Sequence, residues 1–177
     1  MKLLKKSKKK KLKMYKRLAN PVSYDNVKRS KKNIKAIVIH GTGVDGDTAK
    51  GNVDFFATYN KREAGAHFFV DRAGKIARSI PMNRVAWAVG GCYNHNAPFY
   101  NILTNYNTVS IELCDIKNKY PSKKQIKATK QLIKYITRYC TNITRYVRHY
   151  DINGKCCPNY LVDRKQWQRF LDDLFKA

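Results

Sequence analysis

The sequence predicts a single α/β domain in which a central mixed β-sheet is flanked by helices. Its 177 residues suit one globular domain with a tail. Short runs of β-branched and apolar residues alternate with longer segments of helical periodicity, which is typical of α/β folds. No internal repeat or second hydrophobic unit is visible. We therefore predict a basic, disordered tail over residues 1–19 and one folded domain over residues 20–177.

The tail is the most strongly charged part of a basic chain. Lysine and arginine outnumber aspartate and glutamate by 37 to 12. Residues 1–17 contain ten of these cations and no acid. Such a block repels itself and commonly acts as an interaction tail, so its expected partner is a polyanion. The alternative is a tail that only keeps the protein soluble.

Five strands are predicted by short apolar or β-branched runs, at 37–39, 67–71, 76–80, 109–113 and 146–148. The second and third are separated by the turn-forming residues 72–75, which predicts a β-hairpin. The fourth is apolar enough to be buried.

Helices are predicted in the intervals between strands and at the end of the chain. Residues 47–60 are expected to form a short helix that covers one face of the sheet. Ser122 and Gln125 form a capping-box pattern ahead of a helix that runs to about Tyr139. A last helix should begin near Asp163, and its aromatic residues at helical spacing are expected to pack in the core.

Three residues at the ends of these predicted elements have the chemistry of a metal site. His40 closes the first strand and His149 closes the last, so both imidazoles should lie at the lip of the sheet. Cys157 follows His149 after a turn-prone segment that can loop back. Two imidazoles and a thiolate would leave one of the four tetrahedral zinc positions open, which is typical of catalytic zinc. Each His could equally be a structural residue, and the His-x7-Cys pattern alone is weak.

Five sequence motifs occur along the chain in this order: AIVIHGTG, AGAHFFVDRAGKIARSIP, VAWAVGG, NTVSIELCD and VRHYDINGKCCP. Together they resemble the zinc-dependent N-acetylmuramoyl-L-alanine amidases, a family that includes phage lysozyme-type amidases and peptidoglycan recognition proteins. The resemblance covers about residues 34–158 and is nearest to the endolysin-type members. It implies an amidase catalytic domain with one Zn²⁺, held by His40, His149 and Cys157. Cys157 rather than Cys156 is chosen because it precedes Pro158, as in the Cys-Pro spacing of the family.

The resemblance also implies the catalytic groups. Glu112 matches the glutamate that transfers protons in the endolysin-type branch, and a carboxylate inside an apolar strand is costly unless it faces a polar cavity. Lys155 matches a lysine that stabilises the oxyanion in phage lysozyme-type relatives. Ala66 replaces the tyrosine that assists in those relatives, which favours Glu112 as the main acid and base. The alternatives are an exposed strand-edge glutamate and a solvated surface lysine.

Two further residues are predicted to bind substrate. His67 opens the HFFVD strand and could line the cleft, or it could make structural hydrogen bonds. Trp87 lies among small residues where the family has a groove aromatic, which is consistent with packing against a sugar or a stem peptide. The alternative for Trp87 is packing in the local core.

The predicted function is hydrolysis of the amide bond between N-acetylmuramic acid and L-alanine in bacterial peptidoglycan, as a phage endolysin or an autolysin. The basic tail would bind anionic wall polymers, and nucleic acid is disfavoured because no nucleic-acid-binding motif is recognisable. No secretory signal or membrane span is expected, since lysines interrupt the N-terminal apolar residues. The protein would then act at the cell wall after release through a holin pore or lysis.

Three other functions remain open from the sequence. The first is a non-catalytic peptidoglycan-binding module. The second is a cysteine hydrolase that uses Cys157 and His149, which leaves His40 without a role. The third is a nucleic-acid-binding protein driven by charge alone. The odd number of five cysteines argues against a secreted disulfide scaffold.

Overall fold

The structure is a computed structural model, and it describes residues 12–116 and 119–176. Its main sheet has six strands in the order β1-β5-β4-β7-β3-β8, and β2 and β6 form a separate antiparallel pair. The strands are β1 (Tyr15–Lys16), β2 (Tyr24–Asp25), β3 (Ala36–Asp45), β4 (Phe68–Val70), β5 (Ile76–Arg78), β6 (Val85–Ala86), β7 (Thr108–Asp115) and β8 (Arg145–Arg148). The helices are α1 (Ala49–Thr58), α2 (Lys123–Tyr139), α3 (His149–Asn153) and α4 (Arg164–Phe175).

The sheet is mixed, as predicted. Strand β3 lies between β7 and β8 and is parallel to both, and β7 is also parallel to β4. Among the described strands of this sheet, the β4–β5 hairpin is the antiparallel pair. The parallel arrangement brings the ends of β3, β7 and β8 to the same edge of the sheet. The predicted fold class is confirmed.

Helices α2 and α4 cover one face of the sheet. Alternate residues of β3 and β7, such as Ile39 and Ile111, pack there against Leu132 of α2 and Phe170 of α4. The opposite face is covered by α1 and by the loop between β6 and β7, which together bury Val38, Val53 and other apolar residues. Because strand residues alternate between the two faces, His40 and Glu112 belong to the face opposite α2.

The predicted starts of α2 and α4 are correct, but one cap differs in detail, and α1 begins at Ala49, two residues after its predicted start. Ser122 and Asp163 accept hydrogen bonds from the N–H groups of Gln125 and Gln166, so both residues cap their helices. The Gln125 side chain does not complete the capping box. It donates instead to the carbonyls of Val70 and Cys114 at 2.8 and 2.9 Å, which ties α2 to strands β4 and β7.

Part of the predicted tail is packed against the domain. Residues 1–11 lie outside the described residues, and residues 12–19 follow the edge of the sheet. Tyr15 and Lys16 pair with β5, and the side chains of Tyr15 and Arg17 both donate to Asp54 of α1. Ala19 is buried. Residues 12–19 therefore belong to the folded domain rather than to a disordered tail, because the segment completes the sheet edge.

None of the helices in the described part of the chain is long and apolar enough to cross a membrane.

Candidate metal centre and active site

The register of three neighbouring strands places His40, Glu112 and His149 side by side. His40 and Glu112 are direct partners in the β3–β7 pairing. Ile39 is the partner of Arg148, the last residue of β8, so His149 follows beside His40. The two imidazole centroids are 4.7 Å apart. Segments more than 100 residues apart in the chain thus meet at one edge of the sheet.

Cys157 reaches the same place through a tight return of the chain after α3. Gly154 ends α3 with φ of 81°, and a Cβ there would lie 2.5 Å from Cβ of Asn94, so only glycine fits. The carbonyl of Cys157 then accepts a hydrogen bond from the N–H of Tyr150. Its Sγ lies 3.9 Å from Nδ1 of His40.

A buried ion pair anchors the segment that carries His149. Both carboxylate oxygens of Asp151 contact the Arg148 side chain, and one accepts from the Arg148 N–H at 2.8 Å. The guanidinium also donates to the carbonyls of Leu161 and Val162. These bonds hold both sides of the loop that carries His149 and Cys157.

The three predicted ligands form a group that can hold a metal ion. One ligand atom from each of His40, His149 and Cys157 lies within 4.8 Å of the others, and all three residues are buried. Two ligands of a tetrahedral zinc, at about 2.1 Å for nitrogen and 2.3 Å for sulfur, are about 3.6 Å apart. The His40–Cys157 separation is close to this value.

The hydrogen-bonding pattern of the same residues also fits a cation. Among the buried side-chain atoms of the described residues, Nε2 of His40, both ring nitrogens of His149 and Oε2 of Glu112 have no hydrogen-bond partner. Buried polar atoms are rarely left in this state, and each one is costly. A bound ion would use a lone pair of His149, while His40 faces Cys157 and Glu112 with its Nδ1.

Burial keeps the metal-free ligands neutral. Burial, followed by the charge of Lys155, lowers the pKa of His149 to about 4. The pKa of His40 is held well below its ordinary value by burial and then by His149. Burial and the charge of Glu112 raise the pKa of Cys157 to about 12. Neutral imidazoles are ready to bind a metal at neutral pH, whereas the thiol must first lose its proton.

Glu112 lies beside the ligands with a strongly altered proton affinity. Its Oε1 is 4.0 Å from Nδ1 of His40, and its side chain is 20% exposed. Burial and the nearby Asp115 raise the pKa of Glu112 to about 8, while the charge of Lys155 opposes this shift. A carboxyl group with a pKa near the working pH can both accept and donate a proton.

Lys155 is exposed, and its charge acts on the whole site. It lowers the pKa values of His40, His149, Glu112 and Cys157. The structure therefore brings five of the seven predicted residues together.

The other two predicted residues are placed differently. The His67 side chain is enclosed, and its ring nitrogens contact the Ser110 hydroxyl at 2.9 Å, the Arg29 guanidinium at 2.9 Å and the Arg84 carbonyl at 3.2 Å. This network favours the structural alternative for His67. Trp87 is half-buried and makes an edge contact with the ring of Tyr106. Part of its surface is accessible to a ligand.

Asp115 and Tyr160 lie beside the site and were not identified from the sequence. Asp115 accepts a hydrogen bond from the N–H of Gly43 at 2.8 Å and shares another with the hydroxyl of Tyr160. A Cβ on Gly41 would lie 2.8 Å from the same carboxylate. Asp115 thus fixes the backbone that follows His40 and raises the pKa of Glu112. Its position at the end of the SIELCD strand, close to Glu112 in sequence, is the feature from which it could have been predicted.

Comparison with known proteins identifies the family to which this chain belongs. The family model for N-acetylmuramoyl-L-alanine amidases matches residues 30–160. This chain belongs to the N-acetylmuramoyl-L-alanine amidase family. The resemblance stated from the sequence motifs is confirmed, and the matched residues include every candidate site residue.

Several amidases of bacilli are similar in sequence. The amidase CwlL of Bacillus licheniformis is 28% identical over 71% of this chain and 36% of its own length. A probable N-acetylmuramoyl-L-alanine amidase of the same species is 30% identical over 71% of this chain and 36% of its own length. The chain therefore spans little more than a third of these two relatives.

Solved structures of amidases share the fold. The structure of PlyL has a TM-score of 0.70 and 24% identity, and the match covers 92% of this chain and 96% of that one. The endolysin amidase LysCS from Clostridium intestinale has a TM-score of 0.59 and 21% identity, covering 82% of this chain and 86% of that one. At these identities the likeness is one of architecture.

Proposed function

We propose that this amidase-family domain hydrolyses the amide bond between the lactyl group of N-acetylmuramic acid and L-alanine of the peptidoglycan stem. The observation that carries the proposal is the group formed by His40, His149 and Cys157, with Oε1 of Glu112 at 4.0 Å from His40. This group lies within the segment that matches the amidase family.

Zinc is the metal that best suits this donor set. Thiolate and imidazole ligands select zinc over Mg²⁺ or Ca²⁺, which prefer oxygen ligands. His40, His149 and Cys157 would hold the ion and leave one position open to solvent. When bound, the ion would polarise the scissile carbonyl and lower the pKa of a water molecule in the open position.

Glu112 would move the protons. Its carboxylate takes a proton from the attacking water as the new C–O bond forms, and then gives a proton to the alanine nitrogen as the C–N bond breaks. The products are the lactyl carboxylate and a free amino terminus on L-alanine. Burial favours this role because it brings the pKa of Glu112 to about 8.

Lys155 would stabilise the negative charge that develops on the carbonyl oxygen. It is an exposed cation whose charge lowers the pKa values of all three ligands and of Glu112. A donor directed at developing charge typically contributes about 10²–10³ in rate. Trp87 would contact the sugar or the stem peptide through its accessible surface. The site of action would be the bacterial cell wall.

The decisive experiment is digestion of purified peptidoglycan, with identification of newly exposed amino termini. We expect new L-alanine termini that disappear with a chelator and return with added zinc. Glu112→Gln should lower kcat by about 10²–10⁴ while zinc remains bound. Cys156→Ser, which changes the exposed neighbour of Cys157, is the matched control and should behave as the parent protein.

Each rival function gives a different result in this experiment. A cysteine hydrolase would be inactivated by thiol alkylation and would not need zinc. A non-catalytic binding module would sediment with the wall and produce no new termini. A nucleic-acid-binding protein would bind DNA in a salt-sensitive manner without any metal. Absence of new L-alanine termini under every metal condition would refute the proposed hydrolysis.

A further inference from the structure

Helix α2 has an exposed face that consists almost entirely of cations. The helix contains no aspartate or glutamate. At about 100° per residue, five of its cations fall within an arc of about 80°. We call this set the α2 cation row: Lys123, Lys127, Lys130, Lys134 and Arg138. The row spans about 22 Å along the helix axis at 1.5 Å per residue.

The row lies directly opposite the buried face of the helix. Gln125, Ala128, Thr129, Leu132, Ile133 and Ile136 are all buried in the domain. All members of the row are exposed except Lys130, which is partly buried. Since the other side of the helix packs on the sheet, the row faces solvent in a fixed, straight line. A folded helix holds these charges in place without further ordering.

The charges of the row are not neutralised within the protein. Among the described residues, the lysine and arginine side chains that form ion pairs within 4.0 Å are Arg17, Lys50, Arg148 and Lys176. None of these belongs to α2. The neighbouring helix α4 differs, because Lys176 pairs with Asp172 at 2.8 Å. The Lys130 ammonium donates to the carbonyl of Lys176 at 3.3 Å.

Two further cations lie near the C-terminal end of α2, away from the line of the row. The Lys31 ammonium lies 5.1 Å from the centroid of the Tyr139 ring, and Lys32 is exposed beside it. Five like charges in one line repel each other, so a surface of this kind is most stable with a polyanion bound.

We propose that the α2 cation row is a binding surface for a linear, anionic polyol-phosphate polymer of the bacterial wall. The choice of a wall polymer rests on the proposed function of the domain. The row lies on a convex helix surface and consists mainly of lysines, which contact phosphates as point charges. Single-stranded nucleic acids are instead bound in grooves where aromatic side chains stack on the bases. The five positions of the row include no aromatic residue.

This surface and the candidate active site lie on opposite sides of the sheet. Helix α2 packs against the face that carries Ile39 and Ile111, whereas His40 and Glu112 belong to the other face. A polymer bound along α2 therefore leaves the active-site edge open to peptidoglycan. The surface would hold the enzyme at the wall without competing with substrate.

The test compares two variants that each lose four positive charges. The row variant carries Lys→Gln at 123, 127, 130 and 134. The control variant carries Gln at four exposed cations outside both the tail and α2, namely Lys28, Lys35, Lys61 and Arg62. Glutamine retains good helix propensity, so α2 should remain folded. A third variant with arginine at the four row positions tests retention of binding, and thermal melts check folding.

Binding is measured with the full chain and a fluorescent poly(glycerol phosphate) of defined length over a range of salt concentrations. Each phosphate contact contributes about 0.7–0.9 to the slope of log K against log salt, so the row variant should lose about 3 from this slope. Its affinity near 0.15 M salt should fall about tenfold or more. The control and arginine variants should stay within about twofold of the parent.

Two results would overturn the proposal. Equal losses in the row and control variants would show that only net charge matters. Tighter, row-dependent binding of single-stranded DNA with the same number of phosphates would identify nucleic acid as the partner. Hydrolysis of a soluble muramoyl-peptide, which contains no polymer, should be unchanged in the row variant. That assay reports on the proposed enzymatic function separately from polymer binding.

Discussion

Zinc uptake at pH 6 should release one proton per ion from the metal-free Glu112→Gln protein, and the proton should come from Cys157. Glutamine at position 112 removes a second proton source, because the pKa of Glu112 is about 8 and its carboxyl is protonated at this pH. Burial holds the pKa of Cys157 at about 12, so its thiol is protonated at this pH. The imidazoles of His40 and His149 are already neutral, because burial lowers both pKa values and that of His149 is about 4. A water molecule bound to zinc ionises nearer pH 7 and adds little at pH 6.

The release of one proton sets the size of the pH effect. Zinc affinity should rise about tenfold per pH unit between about pH 5 and 6.5, because the thiolate form becomes more accessible as pH rises. At a free zinc concentration 100 times the Kd, binding should stabilise the fold by about 2.7 kcal/mol. For a chain of this size that corresponds to a rise in Tm of about 5–10 °C.

Calorimetric titration in two buffers of different ionisation enthalpy measures the number of protons released. In the Glu112→Gln background, Cys157→Ser should bind zinc much more weakly and release no proton, whereas Cys156→Ser should leave the count at one. Release of two or three protons by the Glu112→Gln protein would mean that the imidazoles are charged in the metal-free protein. Release of none would exclude the Cys157 thiol as the proton source, and either result would refute the reasoning from burial.

Three other predictions concern the proton chemistry and the scaffold. Lys155→Gln should lower kcat about 10²-fold with zinc affinity little changed, and an unchanged kcat in peptidoglycan digestion would make it a solvated surface lysine. Gln125→Ala should lower the urea-measured free energy of unfolding by about 2–4 kcal/mol, because two strand carbonyls lose their donor; exposed Gln131→Ala should have almost no effect. Burial lowers the pKa of His67 to about 3, so the unfolded chain binds a proton below about pH 6.5 that the folded chain excludes. For His67 alone, the free energy of unfolding should therefore fall by about 1.4 kcal/mol per pH unit below this point. His67→Asn should remove this contribution from the slope of unfolding free energy against pH. An unchanged slope would contradict the burial argument.

The local elements of this protein could be predicted from its sequence. Apolar runs identified the strand that contains His40 and the strand that ends at Arg148, just before His149, since burial demands such residues in a parallel sheet. The side chains of Ser122 and Asp163 marked the first residues of α2 and α4 through their hydrogen bonds to exposed N–H groups. The candidate ligands could also be predicted, because histidine and cysteine are typical zinc ligands and the surrounding motifs resemble those of the amidase family.

Tertiary structure alone decided how these parts meet. The β3–β7 register places Glu112 beside His40, and no local pattern contains that register. The Gln125 side chain donates to two strand carbonyls instead of capping its own helix. Those carbonyls are buried and cannot be satisfied by water, whereas the N–H groups at the helix end are accessible to solvent. His67 was similarly engaged inside the domain.

The sequence by itself determined which residues can bind a metal, transfer protons and begin helices, since these are properties of side chains and of short segments. The tertiary structure determined their separations, their burial and hence their proton affinities. Those quantities depend on contacts between residues as distant as 40 and 157, and on the exclusion of water that occurs only when the sheet and its covering helices assemble.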